Sequence, residues 1–255
     1  MRVATRRARF ALRMMRPFFG DDCERLRKEL KWLADVLGDV RDCDVMTENL
    51  HEPLGRTENL LSGQDRFLAY LENQRIPARK RLKEALVSSR YEKLLNDLFE
   101  LYRSPSPQLP PEKRPTRNYA SKLIRKAGRK VRKSLGGLAD PPSSEQLHEV
   151  RIAVKRLRYT CEYFKVLYRG KLRDTIKDCK LVQDCLGEHQ DAAVAIGALK
   201  DIAQALSSER ENTQAVMVTG ALLEMQRRRV LERRELALPL LEDFAKRVAA
   251  LAKLL

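Results

Sequence analysis

The chain says the same thing twice, 149 residues apart, and that duplication limits what it can fold into. Residues 2–18 read RVATRRARFALRMMRPF, and residues 151–167 read RIAVKRLRYTCEYFKVL. Residues 30–45, LKWLADVLGDVRDCDV, align with 179–194, CKLVQDCLGEHQDAAV, at the same offset and without a gap. The identities are Arg2/Arg151, Ala4/Ala153, Arg7/Arg156, Arg9/Arg158, Lys31/Lys180, Asp35/Asp184, Leu37/Leu186, Gly38/Gly187, Asp42/Asp191 and Val45/Val194. Unrelated windows of this length share only ~2 identities at ordinary residue frequencies. A duplicated unit predicts a pseudo-symmetric fold, and a junction between halves is a common place for a ligand. The shared residues are largely cationic, so the expected ligand is an anion.

The unit that is duplicated is helical. Apolar residues recur at three-and-four spacing almost throughout. The pattern predicts helices over 1–18, 22–50, 64–87, 90–103, 116–136, 144–169, 172–206, 209–235 and 239–254. Pro77 falls inside one of them and is expected to kink or split it. Few aromatics (6%) and many charges (34%) suit long helices better than sheets. The segment SPSPQLPPEKRP at 104–115 holds five of the eleven prolines and reads as a linker. It separates an N-terminal half-repeat, 1–103, from a C-terminal one, 116–255. In the second half Gly136 and Gly137 suit a helix end, and Ser143 or Ser144 suits the next N-cap. The second half has a helix upstream of its motif and the first does not. Either the native product is longer or this half has lost its opening helix.

The formal charge of +16 speaks to partners rather than fold. It is uneven: residues 1–110 carry 21 Lys/Arg against 17 Asp/Glu, and residues 111–255 carry 30 against 18. Five cysteines, an odd number in a long chain, argue for reduced thiols and a cytoplasmic setting. The Arg-rich N-terminus has no continuous apolar stretch of the secretory kind. No segment approaches the ~20 apolar residues needed to cross a bilayer.

On a helix, Arg2, Arg6, Arg9, Arg13 and Arg16 fall within roughly an 80° arc. Val3, Phe10, Met14 and Phe18 lie opposite. In the second copy His148, Arg151, Lys155, Arg158 and Lys165 share an arc of about 100°. Ile152, Tyr159 and Tyr163 face away, and Glu162 interrupts the stripe. A third stripe runs through Lys122, Arg125, Lys126, Arg129, Arg132 and Lys133, with Leu123, Ala127 and Val131 as its apolar side. The later helix of each half adds a cluster, Arg79/Lys80/Arg81 and Arg228/Arg229. Solvated helix faces usually mix signs to form i,i+4 pairs. The stripe over 2–16 contains no acid, and duplication repeats the pattern, which points to a polyanion.

Arg7 and Arg156 differ, because they point toward the apolar side of their helices. A buried arginine needs a carboxylate. The repeated Asp42 and Asp191 are the expected partners, giving two buried structural ion pairs, Arg7–Asp42 and Arg156–Asp191. Cys179, Cys185 and His189 have metal-ligand chemistry, but their counterparts are Leu30, Val36 and Val40. A buried apolar role is expected for the cysteines, and no metal.

At HEVRIAVKRLRYTCEYF, followed by LVQDCLGEHQDAAVA, the sequence resembles the CHAD family, helical domains named for a signature histidine. The matching residues are His148, Arg151, Lys155, Arg156 and Arg158, then Leu186-Gly187 and Gln190-Asp191. The first half matches through Arg2, Arg6, Arg7 and Arg9, then Leu37-Gly38 and Arg41-Asp42, but lacks the histidine. The resemblance implies a single all-α domain over 1–255 of two related four-helix-bundle-like halves around a basic groove or pore. It implies binding of inorganic polyphosphate, and in some members association with polyphosphate granules. Together with the stripes it marks Arg2, Arg6, Arg9, Arg13, Arg79, Lys122, Arg125, Arg129, His148, Arg151, Lys155, Arg158 and Arg228 as the polyphosphate-binding set. These domains are often fused to a triphosphate tunnel domain, whose ExExK signature is absent from this sequence.

Polyphosphate is a flexible chain with about one charge per phosphate and no bases to read, and forked arginine donors suit it. The alternative is a nucleic-acid-binding basic helical protein, for which few aromatics are available to stack on bases. A phosphohydrolase or kinase would need carboxylates holding Mg²⁺ or a P-loop, and neither pattern appears. The expectation is therefore a non-enzymatic binding protein without cofactor.

Overall fold

Residues with helical spacing form helices throughout the described part of the chain, and no strand occurs among the described residues. The computed structural model describes the backbone of residues 1–55, 61–103, 116–208 and 212–254. The helices are α1 (Arg2–Gly55), α2 (Leu61–Leu86), α3 (Ser89–Arg103), α4 (Thr116–Gly136), α5 (Ser144–Phe164), α6 (Arg173–Leu206) and α7 (Thr213–Leu254). A 3₁₀ turn, Lys165–Tyr168, follows α5. The proline-rich stretch 104–115, expected as a linker, lies outside the described residues.

Two compact units emerge, Met1–Lys113 with Leu206–Thr219, and Arg114–Ala205 with Gly220–Leu255. In the first, α1 packs on α2 and α3. Its core is Leu12, Cys23, Leu26, Leu30, Leu33 and Leu37 of α1 with Leu94 of α3. At the surface Arg90 of α3 stacks 4.2 Å over the ring of Trp32 and pairs with Glu29 at 2.7 Å. In the second unit α4 packs on α5. Its buried residues include Ile124 and Val131 of α4, Val154, Leu157 and Phe164 of α5, Val182 and Leu186 of α6, and Leu241, Phe244 and Val248 of α7.

The repeat is visible in the burial pattern. Leu12/Cys161, Cys23/Leu172, Leu30/Cys179, Leu33/Val182 and Leu37/Leu186 are aligned pairs, and every one of these side chains is buried. The helix break also recurs at an aligned position. α1 bends at Gly20 (φ 57, ψ −132), a conformation that L side chains rarely adopt. Its counterpart at the same offset is Arg169 (φ 43, ψ 48), just after the 3₁₀ turn. The non-helical backbone at Gly20 therefore divides α1 into two helical segments, as the expected helices 1–18 and 22–50 require.

At Pro77 the split, one of the two expected outcomes, does not occur, and the break expected before Pro239 is corrected. α2 continues through Pro77 rather than splitting. α7 runs unbroken through Pro239, where two helices, 209–235 and 239–254, were expected. A proline removes one helical hydrogen bond. Burial of Ala237, Leu241 and Phe244 on either side of Pro239 holds the helix on its unit regardless. The N-cap of α5 is Ser143: its hydroxyl accepts from the Gln146 amide, and the Gln146 side chain accepts from the Ser143 amide. This capping box fixes where α5 begins and so the rotation of its cationic face.

Candidate polyanion-binding faces

The core of α5 sets the direction of its stripe. Leu147, Val150, Val154, Leu157, Cys161 and Phe164 are buried at three-and-four spacing. His148, Arg151, Lys155 and Arg158, each one position (about 100°) past a buried residue, flank that core row and are half-buried. Two of them are held by α6. His148 Nδ1 lies 2.8 Å from Gln190 Oε1, so Nδ1–H donates and Nε2 is left free of that bond. The guanidinium of Arg151 lies against Gly187: a Cβ built there would meet Arg151 Nη2 at 3.7 Å and Nε at 3.9 Å. The order of these contacts makes α5 and α6 antiparallel at the site.

Arg158 is more enclosed, with a side chain only 17% exposed. Its Nε lies 3.6 Å from Glu162 Oε1, and its guanidinium sits 5.0 Å from the ring of Tyr159. That Nε is buried and makes no hydrogen bond; the same is true of Nε of Arg9, its counterpart in the repeat. A buried donor without an acceptor is costly.

The α4 cations Lys122, Arg125, Lys126, Arg129 and Lys133 are exposed, opposite Ile124, Ala127 and Val131. On α1, Arg2, Arg6, Arg13 and Arg16 are exposed and Arg9 is half-buried. The face of α1 that packs carries Thr5, Ala8, Leu12, Met15 and Phe19. The two later clusters are partly neutralised. Arg79 lies 4.0 Å from Asp44, which also takes Arg75 at 3.0 Å, and Arg81 pairs with Asp39 at 3.2 Å. Arg228 pairs with Glu224 at 3.1 Å and is 74% exposed. The exposed pairs, Arg81–Asp39 and Arg228–Glu224, contribute little to stability.

The buried ion pairs are not there. Arg7, Asp42, Arg156 and Asp191 are all exposed, and among the described residues no ion pair joins Arg7 to Asp42 or Arg156 to Asp191. The reason lies in the choice of apolar side. Ile152, Tyr159 and Tyr163 suggested one direction for the α5 core; Tyr159 is buried, but Ile152 is half-buried and Tyr163 exposed, and the packed row from Leu147 to Phe164 lies along another direction. Arg156 then projects to solvent, and the same rotation on α1 exposes Arg7. Cys179 is buried and Cys185 half-buried, and burial pushes the Cys161 thiol up to about 12. His189 is buried with Nε2 3.5 Å from Ser144 Oγ. Burial first, and then the charge of Arg234, hold its pKa below the ordinary value. Among the described residues no group of His, Cys, Asp and Glu is placed to hold a metal ion.

The CHAD domain model matches residues 1–200. The chain belongs to the CHAD family. The CHAD domain from the plant Ricinus communis has a similar structure, with a TM-score of 0.74 and 26% identity over 95% of this chain and 80% of that one. PptA from Streptomyces chartreusis shares the CHAD fold at a TM-score of 0.72 and 20% identity, over 94% of this chain and 87% of its own. The uncharacterized protein Rv2226 of Mycobacterium tuberculosis is 29% identical over 219 residues, covering 84% of this CHAD chain but 42% of the relative. The chain thus spans about two fifths of the length of the curated relatives it matches. No described helix of this CHAD domain is long and apolar enough to cross a membrane.

Gln190 and Gly187 went unrecognised as site residues in the sequence. Both stand in the motif, yet neither is cationic, and only the pairing of α5 with α6 gives them a role.

Proposed function

We propose that the chain binds inorganic polyphosphate without chemical turnover, through arginine, lysine and histidine on the faces of α1, α4 and α5. The observation that carries this reading is the row on α5: His148 and Arg151, one turn apart, each held by α6 with polar atoms left for a ligand. Lys155 continues the row by one further turn. Helical repeats of this kind offer successive donors to a linear polyanion whose phosphates repeat along a chain. The acid-free stripe on α1 offers the same chemistry from the first copy. Membership of the CHAD family, whose members are associated with polyphosphate, supports the same conclusion. A cytoplasmic location and recruitment to polyphosphate granules complete the proposal.

The test is competition at fixed salt between long-chain polyphosphate and duplex DNA of equal charge. The reading expects polyphosphate to displace DNA at substoichiometric charge. DNA displacing polyphosphate would instead favour a nucleic-acid partner. Incubation with polyphosphate should release no orthophosphate, and release by the pure chain would overturn the non-enzymatic part.

A further inference from the structure

Glycine inside a helix is disfavoured relative to alanine, so a glycine there asks for a reason. Gly187 lies in the middle of α6 and is buried. A Cβ on it would meet only Nη2 and Nε of Arg151 within 4 Å, among the described residues and apart from the backbone of α6 itself. Three residues on, Gln190 accepts the Nδ1–H of His148. The geometry points to α6 as a template: Gly187 and Gln190 are positioning residues that hold Arg151 and His148 in the pose in which they meet phosphate. This rests on the polyphosphate reading of the α5 face and adds what aims it.

The physical roles differ. Gly187 supplies space. The guanidinium lies against α6 at contact distance from where a Cβ would stand, so a larger side chain there would crowd it, and the packing restricts a side chain that otherwise has many rotamers. Ordering Arg151 before the ligand arrives removes that cost from binding. Gln190 supplies an acceptor. It fixes the imidazole ring and its tautomer, leaving Nε2 as the atom for the anion. The template is built in one copy only. The counterpart of Gly187 is Gly38, where an added Cβ would meet nothing within 4 Å. The counterpart of Gln190 is Arg41, which pairs with Glu48 at 2.9 Å. Of the two copies, the second therefore carries the ordered row.

The test uses the full chain, long-chain inorganic polyphosphate and fixed ionic strength. Gly187→Leu is expected to weaken binding by about 10-fold, the scale of one charge-assisted contact, and Gly187→Ala by less. In an Arg151→Ala background Gly187→Leu should add little, because the group it displaces is already gone. The same loss in both backgrounds, or parent-like affinity of a folded Gly187→Leu protein, overturns the role of Gly187. The melting temperature of Gly187→Ala should match or exceed that of the parent, which keeps the series readable if leucine prevents folding. For Gln190, nitrogen NMR of the free protein should show His148 as the Nδ1–H tautomer. Gln190→Leu should shift it toward the mixture of a free imidazole, and an unchanged tautomer overturns that part. Failure of the parent to bind polyphosphate would sink the polyphosphate reading itself, whereas parent binding with unmoved variants sinks the template alone.

Discussion

Arg156 shows how much rests on the direction of one side chain. It recurs in the repeat and neighbours the buried Leu157, and the roughly 100° between adjacent helix positions puts one in the core and the other in solvent. The structure exposes it, and its backbone carbonyl accepts from the Thr160 hydroxyl at 2.7 Å. Arg156→Ala should then leave stability within about 0.5 kcal/mol of the parent, as surface substitutions do. Leu157→Ala, one residue on and fully buried, should cost about 2–5 kcal/mol. Paired melts of the two variants check this, and a large loss for Arg156→Ala would restore a buried partner. His189 gives a second prediction. Its pKa is lowered on folding from 6.5, so the unfolded chain binds its proton more readily. The stabilisation is complete well above pH 6.5 and is lost as pH falls through that value toward the folded pKa. The melting temperature should drop with acidification in this window, and His189→Gln should flatten that slope. An identical slope in the variant would show that other groups drive the loss.

The elements show which features a sequence can carry by itself. The break in α1 was legible as the gap between the periodic runs 1–18 and 22–50, and the start of α5 as a choice between Ser143 and Ser144 that the Ser143–Gln146 capping box settles. Gly20→Ala should cost about 1–3 kcal/mol, the penalty of a side chain at a positive φ outside the favoured backbone wells, read from denaturant unfolding. A neutral outcome would mean that the bend relaxes. The path of α7 through Pro239 was not legible, because packing of Ala237, Leu241 and Phe244 overrides a local signal. The rotation of α5 was misread although its true core row stood in the sequence: Ile152, Tyr159 and Tyr163 formed a second apolar row that competed with it. The contact of His148 with Gln190 crosses 42 residues, and only the register of two antiparallel helices brings them together. Stripes of charge are local and readable, whereas the neutral residues that aim them belong to a partner helix.

At the scale of the whole molecule, the question is whether affinity follows the net charge of +16 or the places where the charges stand. A diffuse basic surface would bind any polyanion and lose affinity in proportion to each cation removed. Ordered rows should be unequal in their parts. Arg151→Ala with Lys155→Ala removes two cations from the α5 row without opening the core, since both lie away from the buried side. Lys83→Ala with Lys200→Ala removes the same charge from exposed positions outside the rows. Each phosphate contact releases counterions, so log affinity should fall with log salt by about 0.7 per contact on a single-stranded polyanion. The α5 pair should therefore lower both the affinity for long polyphosphate, by about 10-fold or more, and the salt slope, by about 1–2. The control pair should change the affinity by a few-fold at most, as long-range charges are screened beyond a Debye length of about 8 Å at physiological ionic strength. Binding isotherms at several salt concentrations, with helical content checked by circular dichroism, measure both quantities. Equal losses and equal slopes for the two pairs would make the basic surface as a whole, and not its rows, the binding element.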